Sequence, residues 1–226
     1  MHPSYKNDSD LGKRVSQNLI DLGLETPVTD KVKAVSTIKI DQIAPHFREI
    51  MEILGLDLTD DSLCDTPNRV AKMYVNEIFY GLDYSKFPKC TAIENKMKAN
   101  GSFLLEKNIN VQSNCEHHFV VIDGLATVAY LPDKKLLGLS KLNRIVQFFA
   151  KRPQVQERLT EQIRATIQFV AETKDVAVYV DAKHWCVKSR GIQDQTSSTV
   201  TLSVGGVFAE DNSEIRKEFL NLARSA

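Results

Sequence analysis

The spacing of apolar residues over the first 90 positions predicts three amphipathic helices. The first begins near Asp10, and a linker over residues 26–35 separates it from the second, in which Pro45 must lie near the start or cause a kink. The third has the clearest ends, with Thr66 as its cap and Gly81 as its stop. The positions predicted to face the core are Leu11, Val15, Leu19 and Leu22 in the first helix, Ile43, Phe47, Ile50 and Leu54 in the second, and Val70, Tyr74, Val75 and Ile78 in the third.

After Pro88 the pattern changes to that of β-strands. Residues 102–113 alternate loosely between polar and apolar types and lead directly to Cys115. Two apolar runs, 119–122 and 125–131, flank Asp123-Gly124, a dipeptide typical of a two-residue hairpin turn. A later strand places one row of side chains on a single face at a period of two, namely Val176, Val178, Val180, Ala182, His184 and Cys186.

Further helices are predicted between and after these strands. Two follow the hairpin and are separated by Pro153, and the second of them covers residues 155–171. A strand over residues 196–204 and a final helix capped by Ser213 complete the chain. The predicted core positions are Leu142, Ile145, Val146 and Phe149, then Leu159, Ile163, Ile167 and Val170, and finally Ile215, Phe219 and Leu222. This order of elements indicates an α+β fold.

Composition narrows the possible function classes. The 226 residues contain 29 lysines plus arginines and 29 aspartates plus glutamates, which argues against a nucleic-acid-binding protein but leaves room for a local basic pocket. The sequence has neither the apolar segment of a signal peptide nor a long apolar run, so neither secretion nor membrane insertion is expected. Four cysteines without a disulfide-like spacing favour a reducing cytoplasm, and Cys64 and Cys90 are assigned to packing.

Two short clusters combine cysteine with histidine. Cys115 and His118 have a spacing that lets one turn of backbone hold a single ion, and Cys186 can add a third ligand from a separate element. Thiolate and imidazole are donors that Zn²⁺ prefers, and three protein ligands leave a fourth position for water, as in catalytic zinc sites. The alternative is that the histidines lie on the surface and the cysteines are small buried apolar groups. The joint occurrence of the two clusters, each followed by a basic segment, favours a metal site.

Cations open one of the predicted helices. Ser140 is a candidate cap, and Lys141 and Arg144 lie in the opening turn, where cations are normally unfavourable. Free backbone N–H groups, the positive end of the helix dipole and two cations together form an anion site. Solvation of these residues at the surface is an equally acceptable interpretation of this segment alone.

Other charged residues have a simple default explanation. Glu157, beside Gln156 at the start of the next helix, is explained by helix-terminal charge complementarity, and Arg69 and Lys72 by a solvated basic face. The residues considered without a family therefore indicate metal-assisted hydrolysis of a phosphorylated small molecule, because zinc-activated water, two further histidines and several cations occur together. They do not identify the substrate.

Four separated segments form one recognisable pattern. They are Cys115-Glu116-His117-His118-Phe119, residues 138–150, residues 152–159, and His184-Trp185-Cys186 continued through Arg190-Gly191. This pattern, together with the helix that spans residues 65–80, resembles the GTP cyclohydrolase I family. The resemblance covers about residues 40–220 in order, and the first 35 or so residues carry no part of it.

The resemblance implies a reaction and a set of site residues. The family opens the imidazole ring of GTP at C8, releases formate, and recloses the product as 7,8-dihydroneopterin triphosphate, the first step towards tetrahydrofolate and related pterins. By the matching motifs, Cys115, His118 and Cys186 are implied to bind Zn²⁺. His117 and His184 are implied to transfer protons without binding the metal.

The same comparison of motifs implies the substrate contacts. Glu157, beside Gln156, is implied to pair with the guanine edge, which replaces the simple helix-charge interpretation. A carboxylate at that edge accepts two hydrogen bonds from guanine and would reject adenine, whose corresponding edge lacks the donor pair. The implied ribose and triphosphate contacts are Ser140, Lys141, Arg144 and Arg190, with Lys72 and Arg69 as further candidates.

The resemblance also implies a fold and an assembly. It implies the tunnelling fold, an antiparallel sheet with a helix pair packed on one face, preceded by N-terminal helices. The expected segments are an N-terminal extension with one short helix over residues 1–35, a helical segment over 36–95, and a catalytic domain over 96–226. It further implies a homodecamer of two pentameric rings with GTP pockets between subunits, and no nucleic-acid or membrane partner is expected.

Two alternatives remain open at this point. One is a relative of the same fold that reduces a nitrile on a deazaguanine with NADPH, which would use a cysteine nucleophile without this Cys/His/Cys set. The other is a non-catalytic regulator that binds a guanine nucleotide and is held together by zinc. Such a degenerate site would normally lack a ligand or a histidine, and none is missing here.

Overall fold

The computed structural model describes residues 6–96 and 102–225, and its centre is a five-stranded sheet. The strands are β1 (Ala92–Glu94), β2 (Leu104–Cys115), β3 (Val121–Tyr130), β4 (Lys135–Leu137), β5 (Pro153–Gln154), β6 (Val176–His184) and β7 (Thr199–Val204). The large sheet has the order β5-β2-β3-β6-β7 and is antiparallel except for the parallel pair β2 and β5. Strands β1 and β4 form a separate antiparallel pair.

Helices surround this sheet. They are α1 (Ser9–Asp21), α2 (Ser36–Ile53), α3 (Thr66–Met73), α4 (Leu139–Ala150), α5 (Gln156–Ala171), α6 (Trp185–Lys188) and α7 (Glu214–Arg224). Short 3₁₀ turns occupy Asp30–Lys33, Tyr80–Leu82, Tyr84–Lys86 and Gly206–Phe208, and one π-helical turn, Tyr74–Ile78, continues α3. Among the described residues, no helix combines the length and apolar character needed to span a membrane.

The two faces of the sheet carry different layers. Helix α4 packs on β2 and α5 on β6, and their apolar stripes join Val178 and Val180 in the main core. The alternate residue Tyr179 points to the other face, where it packs with Phe208 and with Phe219 of α7. This arrangement confirms the predicted α+β fold with a helix pair on one face, and it places the C-terminal helix on the opposite face.

The N-terminal segment is attached to the main core. Helix α1 buries Val15 and Leu19 completely in the core cluster formed by α4, α5 and the sheet. Asp8 caps this helix by accepting a hydrogen bond from the Leu11 N–H at 2.9 Å. The division into segments 1–35, 36–95 and 96–226 stays a prediction, and residues 1–5, 97–101 and 226 of it lie outside the described part of the chain.

The predicted hairpin turn at Asp123-Gly124 is wrong. Both residues lie inside the continuous strand β3, and the chain reverses direction over residues 116–120 instead. Gly124 is needed for a different reason: it pairs with Ala182, and a Cβ atom there would come within 2.2 Å of the Asp181 carbonyl oxygen. The Cys/His cluster therefore forms the hairpin turn itself, rather than lying at the far end from it.

The predicted extension of β6 to Cys186 is also wrong. The strand ends at His184, and residues 185–188 form the short helix α6. Cys186 consequently reaches the site from a helical turn and not from the strand face that carries Val178 and Val180. The next strand, β7, begins at Thr199 and not at residue 196.

Several helix details differ from the periodicity analysis. Pro45 lies in the interior of α2, whose buried side consists of Ala44 and Met51, while Ile50 and Leu54 are 49% and 70% exposed. Leu22 and Leu222 are also exposed. Apolar spacing alone therefore overestimated burial at helix ends and along α2.

Two helix N-caps lie one or two residues before the predicted positions. Asp65 and not Thr66 occupies the N-cap position of α3, and Gly138 and not Ser140 occupies that of α4. Gly81 lies past the π-helical turn and does not stop α3. It is buried, and the close approach of the Phe148 carbonyl oxygen, 2.1 Å from where a Cβ atom would lie, leaves room for glycine alone.

A buried arginine joins the N-terminal segment to the sheet. Arg152, just before β5, forms an ion pair with Glu25 at 3.1 Å and donates a hydrogen bond to Thr26 Oγ1 at 3.3 Å. It also donates to the Gly81 carbonyl oxygen and to Tyr84 Oη. Its guanidinium carbon lies within cation–π range of three aromatic rings. The distances to the ring centroids are 5.0 Å for Tyr84, 5.1 Å for Phe148 and 4.8 Å for Phe149.

Replacing this arginine should destabilise the fold strongly. We expect Arg152→Leu to lower the free energy of unfolding by about 3–5 kcal/mol, because it leaves Glu25 and the Gly81 carbonyl without their buried partner. The measurement is chemical unfolding at matched protein concentration. Arg48→Leu, at a half-exposed arginine on α2, is the control and should change stability by less than about 0.5 kcal/mol. Equal effects of the two substitutions would contradict the assigned role.

Candidate metal and substrate site

A tight turn connects β2 to β3 and carries the first Cys/His cluster. Cys115 is the last residue of β2, and its N–H donates to the Val120 carbonyl oxygen at 2.8 Å. The Phe119 N–H closes the turn by donating to the Cys115 carbonyl oxygen at 2.8 Å. Phe119 has φ 53°, a left-handed conformation that is uncommon for a bulky side chain and is often found at functional sites. We call residues 115–119 the metal turn.

The three predicted zinc ligands come together. One donor atom each from Cys115, His118 and Cys186 lies within 4.8 Å of the other two. Tetrahedral zinc with its usual bond lengths needs donor separations of about 3.5–3.8 Å, so a small side-chain adjustment would complete three coordination bonds. The donor set of two thiols and one imidazole, drawn from two chain segments, fits Zn²⁺.

The electrostatics of the two thiols also suit a cation. Burial raises the pKa of the Cys186 thiol, and its hydrogen bond with the Cys115 thiol raises this pKa further. A divalent cation would act in the opposite direction, because it stabilises thiolates directly. This pair of thiols therefore ionises most readily when a metal is bound between them.

The two further histidines lie on either side of this group. His117 is exposed in the metal turn, with its Nδ1 atom 3.6 Å from Cys115 Sγ. His184 ends β6, where it pairs with Ile122 of β3, and it is half-buried. Burial lowers the pKa of His184, and the nearby Glu157 carboxylate raises it.

Gln156 fixes the orientation of His184. The amide nitrogen of this buried glutamine lies 2.8 Å from the Thr199 carbonyl oxygen and 3.1 Å from the Val180 carbonyl oxygen. Its amide oxygen therefore faces His184 Nε2, at 2.8 Å. An amide oxygen only accepts hydrogen bonds, so His184 Nε2 carries the proton and Nδ1 keeps its lone pair. The predicted substrate contact of Gln156 stays a prediction, and in this structure its amide contacts the sheet and His184.

The side chain of Glu157, unlike that of Gln156, is not held by hydrogen bonds within the described residues. It lies in the first turn of α5, is exposed, and makes no hydrogen bond or salt bridge within residues 6–96 and 102–225. Because its charge acts on His184, its carboxylate lies on the same side as the predicted catalytic histidine. The predicted guanine contact is thus open to a ligand beside the metal ligands.

Three polar residues that sequence reasoning did not single out hold the metal turn in place. Glu116 forms an ion pair with Arg158 of α5, and the Glu116 N–H donates to the Gln154 carbonyl oxygen at 3.0 Å. Arg158 in turn donates to the Gln154 side chain at 3.3 Å. All three residues belong to two of the four quoted segments, residues 115–119 and 152–159, and a pairing of opposite charges between those segments is the signal that could have found them.

The predicted phosphate contacts are divided between two places. Arg190 donates a hydrogen bond to His118 Nε2 at 2.7 Å, so it lies at the metal turn. Ser140, Lys141 and Arg144 lie instead in the first turns of α4. Asn143 of α4 donates to Glu106 of β2 at 2.9 Å, nine residues before Cys115.

These two places are far apart within one chain. About nine residues of extended strand correspond to roughly 30 Å, so the start of α4 and the metal turn lie at opposite ends of β2. The separation exceeds the length of one nucleoside triphosphate. The structure therefore does not bring Ser140, Lys141 and Arg144 together with the metal ligands of the same chain.

The remaining predicted contacts lie on α3. Arg69 pairs with Asp65 at 3.3 Å, and both side chains are largely exposed, as is Lys72. Tyr74, two residues beyond Lys72, places its ring 6.0 Å from that of Phe119 in the metal turn. The chain just after α3 is therefore close to the metal turn, while Arg69 and Lys72 form no hydrogen bond or ion pair with that turn in residues 6–96 and 102–225.

Comparisons with known proteins agree with this arrangement. The family model described as GTP cyclohydrolase I matches residues 43–224. The protein named GTP cyclohydrolase 1 from Shewanella denitrificans is 57% identical over 216 residues, which cover 96% of this chain and 98% of the relative. Proteins of the same name from Haemophilus ducreyi and Shewanella baltica are 56% identical over 210 residues and 54% identical over 216.

The alignments cover nearly the full length of the relatives as well as of this chain, 95% of the Haemophilus ducreyi protein and 99% of the Shewanella baltica protein. They confirm the resemblance found in the four motifs, and they extend it beyond residues 40–220. The matched region contains the metal turn, α4, the start of α5 and the end of β6. The chain is an enzyme and belongs to the GTP cyclohydrolase I family.

Proposed function

We propose that this protein opens the imidazole ring of GTP by hydrolysis at C8, releases formate, and recloses the product to 7,8-dihydroneopterin triphosphate. One observation carries the proposal: the Cys-His-Cys group lies beside a fixed histidine, His184, and a free carboxylate, Glu157. These are the groups needed to hold a metal, to move a proton and to bind the guanine edge. Formate release from GTP by the purified protein is the direct test.

We propose Zn²⁺ as the metal, held by Cys115, His118 and Cys186. The two-thiol, one-imidazole donor set supports zinc over harder cations, which prefer oxygen ligands. When bound, Zn²⁺ supplies Lewis acidity that activates water as a nucleophile near neutral pH.

Removing one ligand should remove the metal. We expect Cys186→Ser to lose most of about one Zn²⁺ per chain, and with it nearly all formate release, because a serine hydroxyl is a poor replacement for a thiolate ligand. Metal analysis of the purified variant is the measurement. Cys64→Ser, at an exposed cysteine outside the site, is the matched control and should keep its zinc. A full zinc complement in Cys186→Ser would remove Cys186 from the ligand set.

We propose that His117 and His184 transfer protons during ring opening and that Gln156 positions His184. The hydrogen bond to Gln156 occupies Nε2, so Nδ1 is the atom of His184 that can accept or return a proton. His117, next to Cys115, lies close enough to the metal turn to serve another proton-transfer step.

Loss of His184 should separate chemistry from metal binding. His184→Ala is expected to keep its zinc and to bind GTP, while single-turnover formate release falls by ~10²–10⁴-fold. Gln156→Leu should change turnover in the same direction, because the His184 ring loses its acceptor. Zinc content and formate release are measured on the same preparations. Near-normal turnover with zinc intact would make His184 a bystander, and loss of zinc would make it a ligand.

We propose that Glu157 reads the guanine edge. A carboxylate without an internal partner can accept the N1–H and amino hydrogens of guanine as a bidentate pair. Its place in the first turn of α5 suits a carboxylate, since the helix dipole favours negative charge there.

An amide at this position should weaken recognition of guanine. Glu157→Gln presents a donor to one guanine hydrogen, at a cost of about 1.5–3 kcal/mol, which is a loss of about ten- to hundredfold in kcat/KM. Zinc should remain bound. Glu172→Gln, at the exposed far end of the same helix, is the control. An unchanged preference for GTP over ATP in Glu157→Gln would exclude Glu157 from the base pocket.

We propose that the complete site forms between subunits of a homo-oligomer, a decamer by the family resemblance. Ser140, Lys141 and Arg144 are separated from the metal turn along β2 of their own chain, so the α4 start of a second copy must supply them to hold the triphosphate. Arg190 can contribute from the metal side, and Lys72 and Arg69 stay further candidates.

Mixed subunits can test this sharing. Cys186→Ser and the double variant Lys141→Ala/Arg144→Ala should each be inactive alone. Coexpressed in one oligomer with different tags, they should recover about a quarter of the wild-type sites, because random pairing joins an intact metal turn to an intact α4 one time in four. Absence of recovery in verified mixed oligomers would place both parts of the site in one chain.

Two further points complete the proposal. A site built from two thiols supports a reducing location such as the cytoplasm, since oxidation would remove the ligands. Neither the nitrile reductase nor the non-catalytic regulator is favoured, because the relatives carry the name GTP cyclohydrolase 1 and no site residue is lost.

A further inference from the structure

A large cavity lies outside the site described above. It has a volume of about 710 Å³, is partly open to solvent, and is lined by the linker after α1, by α2, and by the chain from the π-helical turn to the 3₁₀ turn at Tyr84–Lys86. This volume falls within the range of small-molecule sites, roughly 300–1,000 Å³. None of the zinc ligands and none of the predicted substrate contacts line it.

The cavity has an apolar interior and a cationic edge. Val28, Val32, Ile43, Phe47, Phe79 and Leu82 are among the residues that line it. Lys31, Lys39 and Lys86 also line the cavity, together with a single acidic residue, Asp83.

Lys39 is held in place at this edge. Its Nζ donates to the Val32 carbonyl oxygen at 2.7 Å across the cavity wall. Burial lowers the pKa of Lys39, Asp83 raises it, and the charge of Lys86 lowers it, so these three groups are close enough to interact. Three lysines against one aspartate leave a net positive charge beside an apolar interior.

The inner wall of the cavity touches the metal turn. Phe119 lines the cavity, and its ring lies 5.2 Å from that of Phe79 and 6.0 Å from that of Tyr74. Tyr74 in turn stacks on Phe47 of α2 at 5.4 Å. Pro153, at the start of β5, also lines the cavity, and β5 pairs with Cys115. A ligand in the cavity would therefore pack against the residue that follows His118.

We propose that this cavity binds a small amphipathic acid, with an aromatic or aliphatic body in the apolar interior and its anionic group at the lysine edge, and that the bound ligand alters the metal turn through Phe119. An apolar body matches the valine, isoleucine and phenylalanine lining, and one acidic group matches the excess of lysine. The left-handed conformation of Phe119 makes it sensitive to what packs on its ring, because this backbone state persists only while its surroundings hold it. The effect on the metal turn rests on the proposed function, whereas the binding does not.

The experiment uses zinc-loaded full-length protein and two fluorescent probes. One is 8-anilinonaphthalene-1-sulfonate, an aromatic acid, and the other is its uncharged analogue N-phenyl-1-naphthylamine. We expect about one sulfonate site per chain that GTP does not displace. Ala34→Trp places an indole at a cavity-lining position and should weaken binding of both probes by about tenfold or more. Ala209→Trp, at an exposed alanine that does not line the cavity, should bind both probes as the wild type does.

A charge variant separates the contribution of the anionic group to binding from that of the apolar body. Lys86→Met should weaken the sulfonate probe by about two- to fivefold and leave the uncharged probe unchanged. Equal effects on both probes, unaltered sulfonate binding in Ala34→Trp, or displacement by GTP would overturn the assignment to this cavity. Failure to detect a site in assembled protein would show that a second copy or another segment fills it, and this too overturns the proposal.

Turnover tests the link to the metal turn. Saturating sulfonate probe should change KM or kcat for GTP by about twofold or more in the wild type and in Ala209→Trp, and have no effect in Ala34→Trp. Bound probe without any change in formate release would overturn the link through Phe119. A wild-type protein that binds the probe but releases no formate from GTP would contradict the proposed function and leave the binding result standing.

Discussion

The buried guanidinium of Arg152 is the interaction on which the rest of the site depends. It lies between the N-terminal segment, the chain around Gly81 and Tyr84, and the aromatic residues at the end of α4, and the next residue begins β5. A buried charge is costly unless it is paired, so each of these segments is fixed in position by its contact with the same group. Burial raises the pKa of Tyr84 far above its usual range, which keeps its hydroxyl protonated and able to donate to Glu25.

The position of the metal turn depends on Arg152 through β5. Arg152 positions β5, and β5 pairs with the end of β2 at Asn114 and Cys115. Gln154 then holds the backbone of Glu116, and Gln156, two residues on, holds the ring of His184. A short segment of seven residues, 152–158, thus contacts both the metal turn and His184. In this segment Arg152, Gln154, Gln156 and Arg158 are all hydrogen-bonded, whereas the Glu157 side chain makes no hydrogen bond within the part of the chain that the structure describes.

Much of the fold follows from periodicity, and the exceptions have identifiable causes. The stripes of α4 and α5 were predicted correctly because both helices lie entirely against the sheet, where a period of 3.6 matches burial. The Asp123-Gly124 turn was predicted wrongly because the local signal for a hairpin is the same as the signal for a close approach between strands. Only the neighbouring β6, 58 residues later at Ala182, distinguishes the two. Exposure of Ile50 and Leu54 on α2 likewise depends on which surfaces α2 meets, and spacing carries no information about that.

The site shows a similar division between what residue types reveal and what only tertiary contacts reveal. Ligand chemistry identified Cys115, His118 and Cys186 without the need for a correct strand, since Cys186 reaches the group from α6. The role of Gln156 was not accessible, because its amide is oriented by carbonyl groups of β6 and β7 that are 24 and 43 residues away. Nor could spacing reveal that β2 separates the cations of α4 from the metal turn.

The separation of these charged groups along β2 has a consequence for how a nucleotide can bind. At one end of β2, Lys141 and Arg144 favour the triphosphate end of a nucleotide. At the other end, Glu157 and the Cys-His-Cys group favour the guanine end. A single chain presents each preference alone, as a weak surface charge that solvent and salt can screen. If assembly brings an α4 start of one copy to the metal turn of the next, the triphosphate and the guanine are held at once, and the two weak sites act as one through their fixed spacing. Substrate binding would then favour the assembled state, because only that state can make both sets of contacts.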